Sequence, residues 1–324
     1  MTSYPDEFFR KAQDAVWSMF TDPTSAIPKA DALAEEYADR FAGHQVRGTV
    51  LFAFGQAEEG LAAFTAGSQR AQADEAAFVF TDRQLKGQET VDQSLQEVGP
   101  DIARIDMLYD IIPGGPFKLP QSMTIVRLDD GGLALINLIE LNEAVRGALA
   151  GLGPVRLLIT QTFFHYRYIG GYLEAYPEAK LFGPPAHKTK PEVEGFRYAG
   201  YLSDDDPVAP DALEQITFEG HAFNETAFHH PKSGSLVITD LGLNGTDPDS
   251  VFYDFYCWLW GGHGRFACPH YHRLMVTDKD AAKRSLDRII AKGFTRLLPN
   301  HGHAVAGDGG QIFAEAWAEV FAKM

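Results

Sequence analysis

Cysteine is almost absent: Cys257 and Cys268 are the only two among 324 residues. Two thiols exclude a disulfide framework, and they exclude a four-thiolate zinc or iron–sulfur centre within one chain, so a reducing compartment is expected. Long apolar runs are missing too. The stretch Leu133–Ile139 falls far short of the roughly 20 residues that span a bilayer. The start, Met1-Thr2-Ser3-Tyr4-Pro5-Asp6-Glu7, has neither the basic start nor the apolar core of a signal peptide. A soluble, cytoplasmic protein is therefore expected. Basic residues are scarce: 28 Lys and Arg stand against 44 Asp and Glu, a net charge of -16. No basic cluster is present to track a phosphate backbone, so nucleic acid is not an expected partner. Histidine is nearly missing from the first half. Of 11, only His44 precedes His165, and the other ten lie between His165 and His303. Chemistry based on imidazole belongs to the second half.

What is present is ordinary globular material, 45% hydrophobic and 22% charged, long enough for one large domain with an appendage or for two domains. The first hundred residues read as helical. Asp6–Phe20 places Phe8, Phe9, Ala12, Val16, Met19 and Phe20 on one stripe, and a second helix follows Pro28, with Ala30, Leu33, Ala34, Tyr37 and Phe41 inward. Ala57–Ala73 and Thr90–Val98 also read as helices, whereas periodicity does not assign Val46–Phe54. The Gly99-Pro100 pair suggests a boundary between an N-terminal extension, 1–100, and a second domain, 101–324. The extension carries no catalytic pattern and reads as a cap or a dimerisation element, which makes a homodimer an expectation.

After residue 100 the pattern changes. Ile105–Ile112 reads as a strand that Pro113-Gly114-Gly115-Pro116 breaks. Met123–Leu128 and Leu133–Leu138 flank Asp129-Asp130-Gly131-Gly132, a hairpin signal. Strands at Val155–Thr160, Lys180–Phe182, Gln215–Phe218, Thr226–His229, Leu236–Thr239 and Arg296–Leu298 are interleaved with helices at Glu140–Leu149, Gly170–Tyr176, Lys279–Lys292 and Gly310–Lys323. This alternation predicts an α/β layered fold.

His165, His221, Asp240 and His301 each fall just past a predicted strand. In layered α/β folds, ligands gather outside the carboxyl ends of strands, and three imidazoles with a carboxylate suit zinc or iron. The alternative roles are plain: His165 as a loop histidine, Asp240 as a turn residue that bonds the backbone. His229 and His230 are adjacent on a strand, so at most one faces any pocket. Glu225 reads either as a partner that orients a ligand or as a solvated residue at a strand start. The loop Gly261–His272 carries His263, His270 and His272 near both cysteines. It reads as a lid rather than a second soft-metal site. Tyr253, Phe255, Tyr256, Trp258 and Trp260 read as core or pocket wall.

The order of hairpin, strand, histidine-bearing loop, Gly-Gly helix, Gly-His, Thr-Asp and Asn-His-Gly resembles the metallo-β-lactamase superfamily. That family's first motif, His-x-His-x-Asp-His-x-Gly-Gly, corresponds here to Phe163-Phe164-His165-Tyr166-Arg167-Tyr168-Ile169-Gly170-Gly171. One of its three histidines remains, and Arg167 replaces its aspartate. Gly220-His221, 19 residues before Asp240, and His301-Gly302 match the later motifs. The resemblance covers roughly residues 105–305. The stretches Met123–Leu128, Tyr176-Pro177-Glu178-Ala179, Glu225-Thr226-Ala227-Phe228 and Thr239-Asp240-Leu241 point to a little-characterised subgroup with an eroded first motif.

The resemblance implies an αβ/βα sandwich behind the helical extension. It also implies hydrolysis of a small substrate by metal-activated water. The family's two-metal site is incomplete here, because Phe163, Arg167 and Tyr168 stand where ligands would be and a guanidinium does not ligate. One divalent ion is expected, zinc ahead of iron, held by His165, His221, Asp240 and His301. Asp240 would be ligand or base, and His301 ligand or proton donor. Tyr168 or Arg167 would stabilise developing negative charge. A non-haem iron redox or oxygen-binding protein and a metal-free binding protein of the same fold are the alternatives.

Overall fold

The structure is a computed structural model that describes residues 4–86, 89–111, 116–223 and 225–324. The expected break at Pro113-Gly114-Gly115 lies outside the described residues. The chain forms two compact units: Met1–Glu89 with Asp110–Leu119 and Pro248–His263, and Thr90–Tyr109 with Pro120–Asp247 and Gly264–Met324. No helix among the described residues is long and apolar enough to cross a membrane.

The first unit is built on the helices Asp6–Thr21, Pro23–Glu36, Phe41–Ala53, Ala57–Ser68 and Val251–Trp260. Asp6 and Glu7 open the first helix, where carboxylates complement the helix dipole. Phe8, Ala12 and Ala15 are its buried apolar residues, but Phe20 is 71% exposed. That position falls off the stripe in the last turn, contrary to expectation. Pro28 does not precede the second helix but lies inside it. Phe41 opens the third, which absorbs most of the unassigned apolar run. The third and fourth helices pack at glycine: a Cβ on Gly48 would meet the Phe64 ring at 2.5 Å. Phe64, Phe80, Phe117 and Phe252 form the aromatic core beside them.

The second unit has a seven-stranded sheet in the order Gln96–Gly99, Ile102–Asp110, Lys118–Arg127, Leu133–Ile136, Val155–Ile159, Lys180–Gly183, Tyr198–Tyr201. A five-stranded sheet runs Val305–Ala306, Arg296–Pro299, Ser235–Ile238, Thr226–His230, Glu214–Thr217. Thr90–Val98 is not a helix: its end, Gln96–Gly99, pairs antiparallel with the next strand. The expected hairpin forms at Asp129–Gly132, where Gly131 takes φ +79° and Arg127 pairs with Leu133.

Side chains alternate across each strand, and the alternation defines the layers. Val126, Ala134, Ile136, Ile159, Phe228, Val237 and Leu298 meet between the sheets. Met123, Ile125, Leu133 and Leu135 face outward beneath the helices Glu143–Ala150 and Ile169–Ala175. Leu236, Ile238 and Leu297 pack under Lys279–Ile290 and Gly309–Ala322. The unit is thus the expected αβ/βα sandwich.

Gly220 shows how tightly one loop sits. It adopts φ +68°, and a Cβ there would lie 2.3 Å from the Asp278 carbonyl oxygen. Its own carbonyl accepts from the Thr277 N–H at 2.8 Å. Gly220→Ala is expected to lower stability by about 1–3 kcal/mol, read as an earlier denaturation midpoint. An unchanged midpoint would contradict this packing.

Candidate metal centre

The parallel strands Ser235–Ile238 and Arg296–Pro299 pair in register, Ile238 opposite Pro299. Asp240 and His301 each stand two residues beyond those partners, so equal offsets bring them side by side. His165 arrives from the loop that follows Val155–Ile159. Ligand atoms of His165, Asp240 and His301 all lie within 4.8 Å of one another. Nε2 of His301 is 3.3 Å and Nε2 of His165 is 3.6 Å from Asp240 Oδ1. All three side chains are largely buried.

These separations test whether the residues fit a metal. A charge-assisted N–H···O bond would close to about 2.7–2.9 Å. Two bonds of about 2.0–2.1 Å that meet at a tetrahedral angle hold their ligand atoms about 3.3 Å apart. The two separations from Asp240 Oδ1, 3.3 and 3.6 Å, are close to a coordination edge. The imidazole tautomers fit as well. His301 Nδ1 lies 2.8 Å from the Pro120 carbonyl and donates to it, so the lone pair of the neutral ring sits on Nε2. His165 Nδ1 lies 3.2 Å from the Gln121 amide, whose buried oxygen has no partner. Turned so that this oxygen accepts from Nδ1–H, the amide leaves the His165 lone pair on Nε2, toward Asp240. Thr162 donates to the other Asp240 oxygen at 3.0 Å. Burial pushes the Asp240 carboxyl up, but His165 and His301 outweigh it and hold the group well below the usual carboxylate range.

Buried polar groups missed in the sequence hold this corner in place. Asn137, at φ +60°, donates to Gln161 at 2.7 Å and Thr239 at 2.8 Å. Gln161 donates to the carbonyls of Thr226 and Val237, linking the ends of both sheets. Their one sequence signal is a polar residue just past an apolar strand. Behind His301, the buried Arg104 guanidinium contacts Ser122 and donates to Asp106 at 2.7 Å and to the Gly302 carbonyl at 3.0 Å. Asn300 donates to the Ser122 carbonyl at 2.7 Å.

The other candidates are placed elsewhere. His221 is outside the three-residue group. Its Nε2 lies 2.9 Å from His272 Nδ1, and its Nδ1 accepts from the Phe223 N–H at 3.3 Å. Burial, then the His272 imidazole, pushes His221 down to about 2, and burial pushes His272 down to about 4. Both rings are therefore neutral at physiological pH. The Arg167 guanidinium lies over the Tyr109 ring at 5.1 Å and over Tyr168 at 6.0 Å. His229 bonds Glu214 at 2.6 Å and His230 bonds Ser233 at 2.8 Å. Glu225 is fully buried, which removes the solvated reading. The soft-metal alternative in the 257–272 stretch does not assemble: among the described residues, His165, Asp240 and His301 form the one metal-competent group. His263 instead bonds Asp254 at 2.6 Å, and Cys268 donates to the Leu241 carbonyl at 3.1 Å.

Neither a protein-family model nor a curated protein matches the sequence. Solved structures do match. The DIM-1 metallo-β-lactamase superposes with a TM-score of 0.52 at 11% identity, over 73% of this chain and 100% of its own. A metallo-β-lactamase from Erythrobacter litoralis, with β-mercaptoethanol in its active site, gives 0.51 at 12%, over 71% and 100%. One from Pontibacter korlensis gives 0.50 at 10%, over 72% and 100%. Sandwich, strand order and these superpositions agree: the chain has the fold of the metallo-β-lactamase superfamily.

Proposed function

We propose that the chain is a mononuclear metal-dependent hydrolase acting on a small molecule, its ion held by His165, Asp240 and His301. The observation that carries this reading is the gathering of three ligand atoms within 4.8 Å of one another, with both imidazoles 3.3–3.6 Å from Asp240 Oδ1. A bound divalent ion supplies Lewis acidity and lowers the pKa of water. The chain's residues do the rest. Asp240 presents Oδ1 to the centre while Thr162 occupies Oδ2. Pro120 holds the His301 ring, and Gln121 faces the His165 ring. With Asp240 Oδ1 and His301 Nε2 given to the ion, and His301 Nδ1 to the Pro120 carbonyl, both residues serve as ligands rather than as base and proton donor. Arg167 and Tyr168, close to His165 in sequence, are proposed to meet negative charge on the substrate. His221, whose Nε2 faces His272, is left out of the proposed ligand set.

Two imidazoles and one carboxylate are also the donor set of non-haem iron, and that composition supports iron-based oxygen chemistry as the second reading. Elemental analysis of protein purified without a histidine tag separates the readings. About one zinc per chain is the expected result. Iron would support the second reading, and no metal under replete conditions would leave a metal-free binding protein.

A further inference from the structure

Glu225 is 0% exposed, and no cation is within hydrogen-bond reach of its carboxylate among the described residues. Its oxygens accept three successive backbone N–H groups: Thr239 at 2.7 Å to Oε1, then Asp240 at 2.7 Å and Leu241 at 3.0 Å to Oε2. Those three residues form the turn that carries Asp240. All three bonds point toward the carboxyl, so Glu225 acts as an acceptor for three consecutive backbone N–H groups of that turn.

We infer that Glu225 is a positioning residue for the metal centre: its carboxyl group fixes the Thr239–Leu241 turn that aims Asp240. The inference rests on the proposed metal reading and adds to it a residue that touches neither ion nor substrate. Glu225→Gln keeps the shape but turns an amide N–H₂ against at least one of the three N–H donors. Glu225→Asp keeps the carboxyl acceptors on a shorter arm.

The test uses the full chain, stripped with a chelator and titrated with zinc against a chromogenic competitor, and with cobalt(II), whose visible bands report ligand geometry. Glu225→Gln is expected to weaken zinc binding by about 10–100-fold, the usual effect of outer partners of ligands, and to change the cobalt bands. Glu225→Asp should recover part of the affinity. Wild-type affinity and an unchanged cobalt spectrum in Glu225→Gln would overturn the inference, as would Glu225→Asp binding no better than Glu225→Gln. If the unmodified chain binds neither ion, the metal reading falls, and the fixing of the turn is then decided by amide hydrogen exchange at 239–241. Faster exchange there in Glu225→Gln supports it, and unchanged exchange overturns it. Should Glu225→Gln fail to fold, the same comparisons on Glu225→Asp decide the case.

Discussion

Asp240→Asn is expected to remove zinc binding, with a loss of more than about 100-fold, beyond the effect expected for an outer partner. The amide oxygen still accepts from Thr162, so the local hydrogen bonds survive. What disappears is the negative ligand between His165 and His301, 3.6 and 3.3 Å away. The measurement is thermal. An ion held at 100 times its Kd stabilises the native chain by about 2.7 kcal/mol, so zinc should raise the melting temperature of the unmodified protein. In Asp240→Asn that rise should vanish. A full zinc-induced rise in Asp240→Asn would show that the ion sits elsewhere. His301→Ala is a second check, and it should reduce the rise in the same way.

How much of this was legible in the sequence depends on the range over which each signal acts. The hairpin at Asp129–Gly132 is local, since a glycine with positive φ ends one strand and begins the next, and it was readable. Asp240 and His301 were readable because each ends an apolar strand, although their mutual register comes from the parallel pairing of Ile238 with Pro299. Val251–Trp260 was not read as a helix. It is apolar on nearly every side, so it shows no 3.6-residue contrast. The available signal was Ser250, whose side chain caps it by accepting from the Tyr253 N–H. Thr90–Val98 failed for the opposite reason: its few apolar residues are compatible with helical spacing, and only the pairing with Ile102–Asp110 makes its end a strand. His221 matched a family spacing, but its partner, His272, is 51 residues away. No spacing rule reveals that contact. Glu225 reads in the sequence as a partner that orients a ligand or as a solvated residue, and Arg104 is not singled out; what each holds becomes adjacent only in the folded chain.

Arg104 carries the largest expected stability effect. Its side chain and that of Asp106 are 2% and 5% exposed. Asp106 also accepts from Ser122 at 2.6 Å and Gln96 at 3.0 Å, so the pair is hydrogen-bonded on several sides. Removing one partner of such a pair leaves the other charge buried, at a cost of about 3–5 kcal/mol. Arg104→Met should therefore lower stability by that amount. It should also loosen the turn at His301, because the Gly302 carbonyl loses its donor. Replacing both partners removes the uncompensated charge. The double variant Arg104→Met with Asp106→Leu should be less destabilised than the sum of the two single changes, with a coupling of at least about 1 kcal/mol in a double-mutant cycle. The unfolding signal should report the sandwich, and hydrogen exchange of the Lys118–Arg127 and Arg296–Pro299 strands serves, because a chain of two units need not unfold in one step. Additive single effects would mean that Arg104 and Asp106 act independently. A zinc affinity unchanged in Arg104→Met would confine the pair to stability, whereas a weakened one would extend its role to the aim of His301.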